Sequence, residues 1–326
     1  MLSETIFTIQ DEHDFEKTAV RIFQYQYINN PVYQRFCNLL GIIKSSVKQS
    51  KDIPYLPIEF FKQKKILSSL APVQKVFTSS GTTNSITSKH YINDLNIYEN
   101  SFRKGFQYFY GDIKDYTVLA LLPSYLERTG SSLVYMVDTL IKDSLQADSN
   151  FYLDDIEKLV NTLKKLQQNG RKTLLIGVTF ALLDLIEKYT LHLDHTTIIM
   201  ETGGMKGKRK EMIRSELHQE LSQGFNIPKI HSEYGMTELL SQAYSKGDGI
   251  FYCPPWMKVS VRDPEDALTS FPDGKTGGVN IIDLANIHSC SFIATQDLGK
   301  THANGGFEIL GRFDHSDIRG CNLMAL

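Results

Sequence analysis

Cysteine, net charge and long apolar runs are all scarce in this 326-residue chain, and each shortage narrows what it can be. The four cysteines (Cys37, Cys253, Cys290 and Cys321) never stand at a CxxC spacing. That argues against a zinc site or a disulfide framework and fits a reduced, cytoplasmic setting. A formal charge of −2 offers no basic face for nucleic acid or an anionic membrane. No apolar stretch reaches bilayer-spanning length, so membrane contact would be peripheral at most. The N-terminus, Met1-Leu-Ser-Glu-Thr-Ile-Phe7, lacks the basic region and apolar core of a secretory signal. Internal repeats, low-complexity linkers and a Walker A loop are missing as well.

What is present has the composition of an ordinary soluble globular protein, 41% hydrophobic and 22% charged. The length suits one large α/β domain or two smaller ones. Three stretches differ in character. Residues 1–70 are aromatic-rich and read as a helical segment packed on the core, with Phe15, Ile22, Phe23, Tyr33 and Phe36 at helical spacings. Residues 71–245 read as the α/β core. There, short apolar strands (117–122, 173–178, 196–201, 229–234) alternate with helices near 94–109, 131–142, 154–168, 181–189 and 208–223. That alternation predicts βαβ units and a parallel sheet. Residues 246–326 are dense in Gly, Pro and Asp-Gly turns, with β-like runs at 257–261, 279–283 and 291–295, the pattern of a β-rich, barrel-like subdomain.

The richest local signal is a hydroxyl-lined loop: Thr78, Ser79, Ser80, Gly81, Thr82 and Thr83, followed by Lys89. Gly81 permits a tight turn and close backbone approach, and converging N–H and hydroxyl groups suit an anion with many acceptor oxygens, such as a phosphate chain. A solvated Ser/Thr loop is the plain alternative. Further along, His231-Ser-Glu-Tyr-Gly-Met-Thr-Glu238 puts Tyr234, Gly235, Thr237 and Glu238 at the end of a strand. A hydroxyl and a carboxylate there suit a phosphate and its Mg²⁺, or else a helix cap at Thr237. Asp297 follows a strand and suits either a ribose or a turn. Arg312, in Gly311-Arg-Phe-Asp314, suits an anion, a ribose or a charged β-turn. The Phe/Tyr-rich helix over 98–109 reads as core more than as an acyl channel. His90, His231 and Cys290 read as structural.

In this order the pieces resemble the adenylate-forming superfamily of acyl-CoA ligases and luciferases, over roughly residues 75–319. More closely they resemble its acyl-protein synthetase (LuxE-type) family, through Leu56-Pro-Ile-Glu-Phe-Phe61, Ser88-Lys-His-Tyr91, Leu122-Pro-Ser-Tyr-Leu-Glu-Arg128 and Glu201-Thr-Gly-Gly-Met-Lys-Gly207. The resemblance implies a large-domain fold of layered αβα parallel sheets with a β-rich C-terminal region. It implies ATP and Mg²⁺ as cofactors and two half-reactions: a carboxylic, expectedly fatty, acid becomes an acyl adenylate, and the acyl group passes to a nucleophile. The hydroxyl loop and Lys89 would hold the β- and γ-phosphates, Thr237 the α-phosphate and Glu238 the Mg²⁺. Tyr234 would flank the adenine, with Gly235 beside it among the nucleotide-binding residues, the Gly203-Gly204 turn would pass near the adenine or acyl group, and Asp297 and Arg312 would bind the ribose.

The sequence departs from the superfamily at its end. Typical members continue into a mobile C-terminal domain that supplies a catalytic lysine, whereas this sequence stops at Leu326. The expectation is therefore no such domain, with Lys89, Lys206 or a partner's residue in its place. Acyl-protein synthetases carry the acyl group on a cysteine near the C-terminus, which makes Cys321, beside Gly320 and Arg319, the candidate acceptor. An acyl-reductase or acyl-transferase protein is the expected partner. The competing readings are an acyl- or aryl-CoA ligase completed by a partner chain, and a non-catalytic acyl- or nucleotide-binding subunit.

Overall fold

A computed structural model describes residues 2–79, 86–123, 129–203 and 212–312. The chain begins with α1 (Leu2–Thr5), α2 (Glu12–Asn29), α3 (Pro31–Leu39), β1 (Leu56–Pro57) and α4 (Phe60–Gln63). There follow β2 (Lys75–Thr78), β3 (Lys89–Ile92), α5 (Leu95–Tyr110), β4 (Thr117–Leu121), α6 (Ser132–Ser144), β5 (Asn150–Phe151) and α7 (Ile156–Gln168). Next come β6 (Thr173–Gly177), α8 (Thr179–Lys188), β7 (Thr197–Glu201), α9 (Arg214–Phe225), β8 (His231–Tyr234) and β9 (Ala243–Ser245). The last strands are β10 (Met257–Arg262), β11 (Ser270–Phe271), β12 (Thr276–Asp283), β13 (Phe292–Thr301) and β14 (Phe307–Arg312). These elements group into two units. One comprises residues up to 74, 90–93 and from 255 on; the other comprises 75–89 and 94–254.

The first unit is built on a sheet ordered β1-β13-β12-β10-β11, with β14 on β13. All its pairings are antiparallel except β1 with β13. The aromatic N-terminal segment supplies its helical layer. The Asp11 side chain caps α2 by accepting the Asp14 N–H, and Pro31, whose missing N–H costs nothing at a first helical position, opens α3. Phe23 and Tyr33 from these helices pack on Phe292 of β13, with ring centroids 6.4 and 6.0 Å away. Buried Gln26 fixes α2 in place: its amide N–H groups donate to the Asn286 and Ile287 carbonyls, and its Oε1 accepts the Ser291 N–H at 3.0 Å. Cys37 and Cys290 are buried, and burial pushes the Cys37 thiol up to about 12, so both behave as packing residues.

The second unit holds the parallel sheet expected from the alternating pattern, ordered β5-β4-β6-β7-β8-β9, with β9 antiparallel at its edge. Every residue of β4 and β6 is buried, as strands covered on both faces must be. Leu119, Leu121, Leu175 and Ile199 pack with Leu163, Leu182, Leu221 and Phe225 from α7, α8 and α9. On α5, Tyr98, Phe102 and Phe106 are buried, and the Tyr98 ring lies 5.4 Å from Phe77 and 5.0 Å from Phe102. The core reading of that helix therefore holds. Among the described residues no helix is long and apolar enough to cross a membrane.

Candidate active site

In an open parallel sheet the carboxyl ends of the strands gather loops that bind ligands. In the second unit β7 and β8 end there side by side, with Glu201 in register with Ser232. Glu201 is 2% exposed, and its Oε2 accepts the Gly203 N–H at 2.7 Å, closing a turn in which Gly203 takes φ +71°. That left-handed geometry is one a glycine adopts without a Cβ penalty. From α9, Arg214 Nε and His218 Nε2 approach Glu201 Oε1 to 3.4 and 3.5 Å, ion-pair distances rather than hydrogen bonds. His218 in turn meets the Ser232 hydroxyl at 3.2 Å. Burial pushes the Glu201 carboxyl up. His218, Arg214, Ser232 and the Gly203 N–H together outweigh that and hold it near about 2. Arg214 also stacks over the Phe251 ring at 4.7 Å, and Phe251 lies 5.8 Å from the Tyr234 ring. A continuous line of contacts thus runs from the Gly203 turn to Tyr234.

Side chains alternate along β8. Ser232 and Tyr234 are buried, while His231 and Glu233 are partly exposed on the other face. The Glu233 carboxyl folds over Gly235, where an added Cβ would lie 2.5 Å from Glu233 Oε1 and 3.4 Å from Gln242 Cγ. Burial first, then the charge of Glu201, push the Glu233 carboxyl up to about 8. Two glutamates from adjacent strands therefore differ in charge at neutral pH. His231 is driven down to about 4 by burial, then Lys246 and Lys229, and meets the Tyr110 hydroxyl at 3.1 Å, a structural histidine as expected. Thr237 and Glu238 lie in the turn between β8 and β9, closed by the Leu239 N–H on the Met236 carbonyl at 3.1 Å. No helix begins there, so Thr237 is not a helix cap. Glu238 is buried.

The hydroxyl loop leaves β2 in the same unit. The Thr78 N–H donates to the Gly130 carbonyl at 2.8 Å, and the Ser79 and Ser88 backbones bond across the base of the loop at 3.2 Å. Ser79 Oγ also accepts the Ser88 N–H at 3.0 Å, and Lys89 is exposed at the start of β3. Asp297 and Arg312 belong to the other unit. They are cross-strand partners of β13 and β14, with Arg312 Nε donating to Asp297 Oδ1 at 2.8 Å. Ser80, Gly81, Thr82, Thr83, Gly204, Lys206 and Cys321 lie outside the described residues.

The sequence reading passed over Glu201, Arg214, His218, Glu233, Gln242 and Gly130. One signal was available: Arg214 and His218 stand four apart, the spacing that puts two side chains on one helix face. Glu201 and Glu233 stand inside the motifs at 201–207 and 231–238, where nothing local marks them out. The pairing of that face with the strand end was visible only in three dimensions.

This arrangement is the fold of adenylate-forming ligases. A structure of 2-hydroxyisobutyryl-CoA ligase with 2-HIB-AMP and CoA superposes with TM-score 0.68 at 14% identity, covering 94% of this chain and 72% of that one. ATP-bound MatB from Rhodopseudomonas palustris gives TM-score 0.56 at 19% identity over 75% of this chain, which spans 49% of the MatB chain. At these identities the likeness is one of fold. In sequence, the long-chain-fatty-acid–luciferin-component ligase of Vibrio harveyi is 24% identical over 340 residues, covering 97% of this chain and 89% of that protein. The family model described as acyl-protein synthetase, LuxE, matches residues 6–325, and the chain belongs to that family.

Proposed function

We propose that the protein activates a carboxylic acid with ATP, forming an acyl adenylate and pyrophosphate, and then transfers the acyl group to a protein thiol. The observation that carries this reading is the family match over residues 6–325, in a chain where Tyr234 ends a strand of the parallel sheet and Gly235, Thr237 and Glu238 follow it. A long-chain fatty acid is the substrate class, by analogy with the Vibrio harveyi relative. In this reading the loop from Thr78 and Lys89 cradles the phosphates, and Tyr234 flanks the adenine. Asp297 and Arg312 serve the ribose and Cys321 receives the acyl group.

A magnesium ion fits the donors present. Among the described residues no cluster of three or more His, Cys, Asp or Glu side chains is poised for a metal. Mg²⁺ is commonly held by one or two carboxylates with substrate phosphates and water, and Glu238 would supply the carboxylate. Bound there, the ion would neutralise charge on the phosphates. The chain's own task in the first half-reaction is to hold the phosphates still and surround them with N–H groups and cations.

The test is incubation with MgATP and a panel of carboxylic acids, with and without CoA, reading AMP release and the intact protein mass. A covalent acyl adduct that Cys321→Ser abolishes, with ATP–pyrophosphate exchange persisting, is the expected result. Acyl-CoA as the product, or labelling unchanged in Cys321→Ser, overturns the transfer step.

A further inference from the structure

Thiol acylation has a proton to dispose of, and no residue assigned so far takes it. At the carboxyl end of β8, two side chains converge on Gly235. One is Glu233, partly exposed, with its Oε1 over the glycine. The other is Gln242, 6% exposed, whose Oε1 has no hydrogen-bond partner among the described residues. A buried amide oxygen without a donor costs free energy, and the protonated form of Glu233 is a donor beside the same glycine. The Glu233 carboxyl fills the space that a Cβ at residue 235 would take.

We propose that Glu233 is the general base of the acyl-transfer half-reaction, with Gln242 as the positioning residue that accepts a hydrogen bond from Glu233 once it carries the proton. The inference rests on the acyl-protein synthetase reading above. In the step, the acceptor sulfur attacks the acyl carbonyl carbon and a C–S bond forms. The bond from that carbon to the phosphate oxygen breaks, and AMP leaves with the electron pair. The thiol proton passes to Glu233 Oε and then to solvent.

Burial and the negative charge of Glu201 on β7 set the acidity of Glu233. Tyr98 of α5 and Tyr244 of β9 share its field and are themselves held protonated, first by burial and then by the charge of Glu233. A carboxyl near 8 is close to the ordinary thiol range, so its carboxylate, the minor form at pH 7 that grows as pH rises, is strong enough to take a thiol proton.

The experiment supplies synthetic dodecanoyl adenylate, so that ATP chemistry drops out, and compares two acceptors. One is 2-mercaptoethanol, an alkyl thiol protonated at pH 7, and the other is thiophenol, an aromatic thiol largely ionised there. Thioester formation above the enzyme-free rate is followed for the wild type, Glu233→Gln and Gln242→Leu. Glu233→Gln should slow transfer to the alkyl thiol by roughly 10²–10⁴-fold and transfer to the aromatic thiol far less, because an ionised thiol needs no base. Gln242→Leu should show a smaller loss with the same selectivity. Equal losses with both thiols, or no loss, overturn the proposal while leaving the wild-type activity in place. A wild type that accelerates neither transfer overturns the underlying reading as well.

Discussion

Replacing Glu201 with Gln removes a negative charge while keeping an acceptor for the Gly203 N–H. The wild-type carboxyl sits near about 2, against 4.5 for the free side chain. A depressed acid contributes stability that is complete above the unfolded value and is lost as pH falls toward the folded one. The window is therefore pH 4.5 down to about 2. At neutral pH the shift corresponds to about 3 kcal/mol. The side chain is 3% exposed, so solvent does little to screen it, and Arg214 and His218 are themselves only 27% and 13% exposed. Breaking a buried pair at one end costs about 3–5 kcal/mol in general, which agrees. Urea unfolding followed by far-UV circular dichroism across pH 7 to about 3 measures it. Glu201→Gln should lose about 3 kcal/mol at pH 7, and its midpoint should fall less steeply than the wild type's below pH 4.5. Equal midpoints at pH 7, or identical acid limbs in the two proteins, would refute the assignment of Glu201 as a buried, paired carboxylate.

Three further outcomes are expected. Gly130→Ala places a Cβ 2.6 Å from Thr78 Oγ1 and must push Thr78 aside, so the KM for ATP in ATP–pyrophosphate exchange should rise severalfold; an unchanged KM separates Thr78 from phosphate binding. Arg312 is 58% exposed beside Asp297, so Arg312→Ala should cost under about 1 kcal/mol of stability. If it serves the ribose, the same change raises the KM for ATP at least tenfold, and a flat KM argues for a purely structural pair. Gln26→Leu removes the amide donor from the Ile287 carbonyl and the acceptor of the Ser291 N–H, while the Asn286 carbonyl keeps the Ser289 N–H, and should destabilise the first unit by roughly 2–3 kcal/mol. Faster hydrogen exchange across α2 and residues 284–291 would report it.

The backbone plan was largely legible because its signals are local. The apolar run of β6, whose residues are all buried, and the apolar spacing of α7 are periodicities that burial itself imposes. The N-terminal aromatics could be read as helical but not placed. Only the structure shows that Phe23 and Tyr33 pack on Phe292, far along the chain and in the same unit. The motif residues stood out because hydroxyl, glycine and carboxylate residues cluster in short windows. Glu201 and Glu233 did not, since nothing in a one-dimensional window says which glutamate faces α9 and which faces α5. Thr237 shows the limit of a local pattern: its sequence allowed either a phosphate contact or a helix cap, and it lies here in a turn leading to the antiparallel β9, where no helix begins.

The contrast between those two glutamates follows from strand alternation. Glu201 lies opposite Ser232, so its side chain shares that face with Arg214 and His218, whereas Glu233, one residue on, must point to the other face. There it meets Tyr98 and Tyr244, whose buried hydroxyls offer no positive charge, and it feels the negative charge of Glu201 through the sheet. The two sites are therefore coupled. Whatever neutralises Glu201 must make Glu233 easier to ionise, because one of the two causes of its raised value is gone. In Glu201→Gln the pH dependence of acyl transfer to 2-mercaptoethanol should accordingly shift to lower pH, even though the substituted residue lies on the far face of the sheet. A profile that stays in place would mean that the Glu233 carboxyl is governed by burial alone, and that the α9 network supports the Gly203 turn without tuning the base.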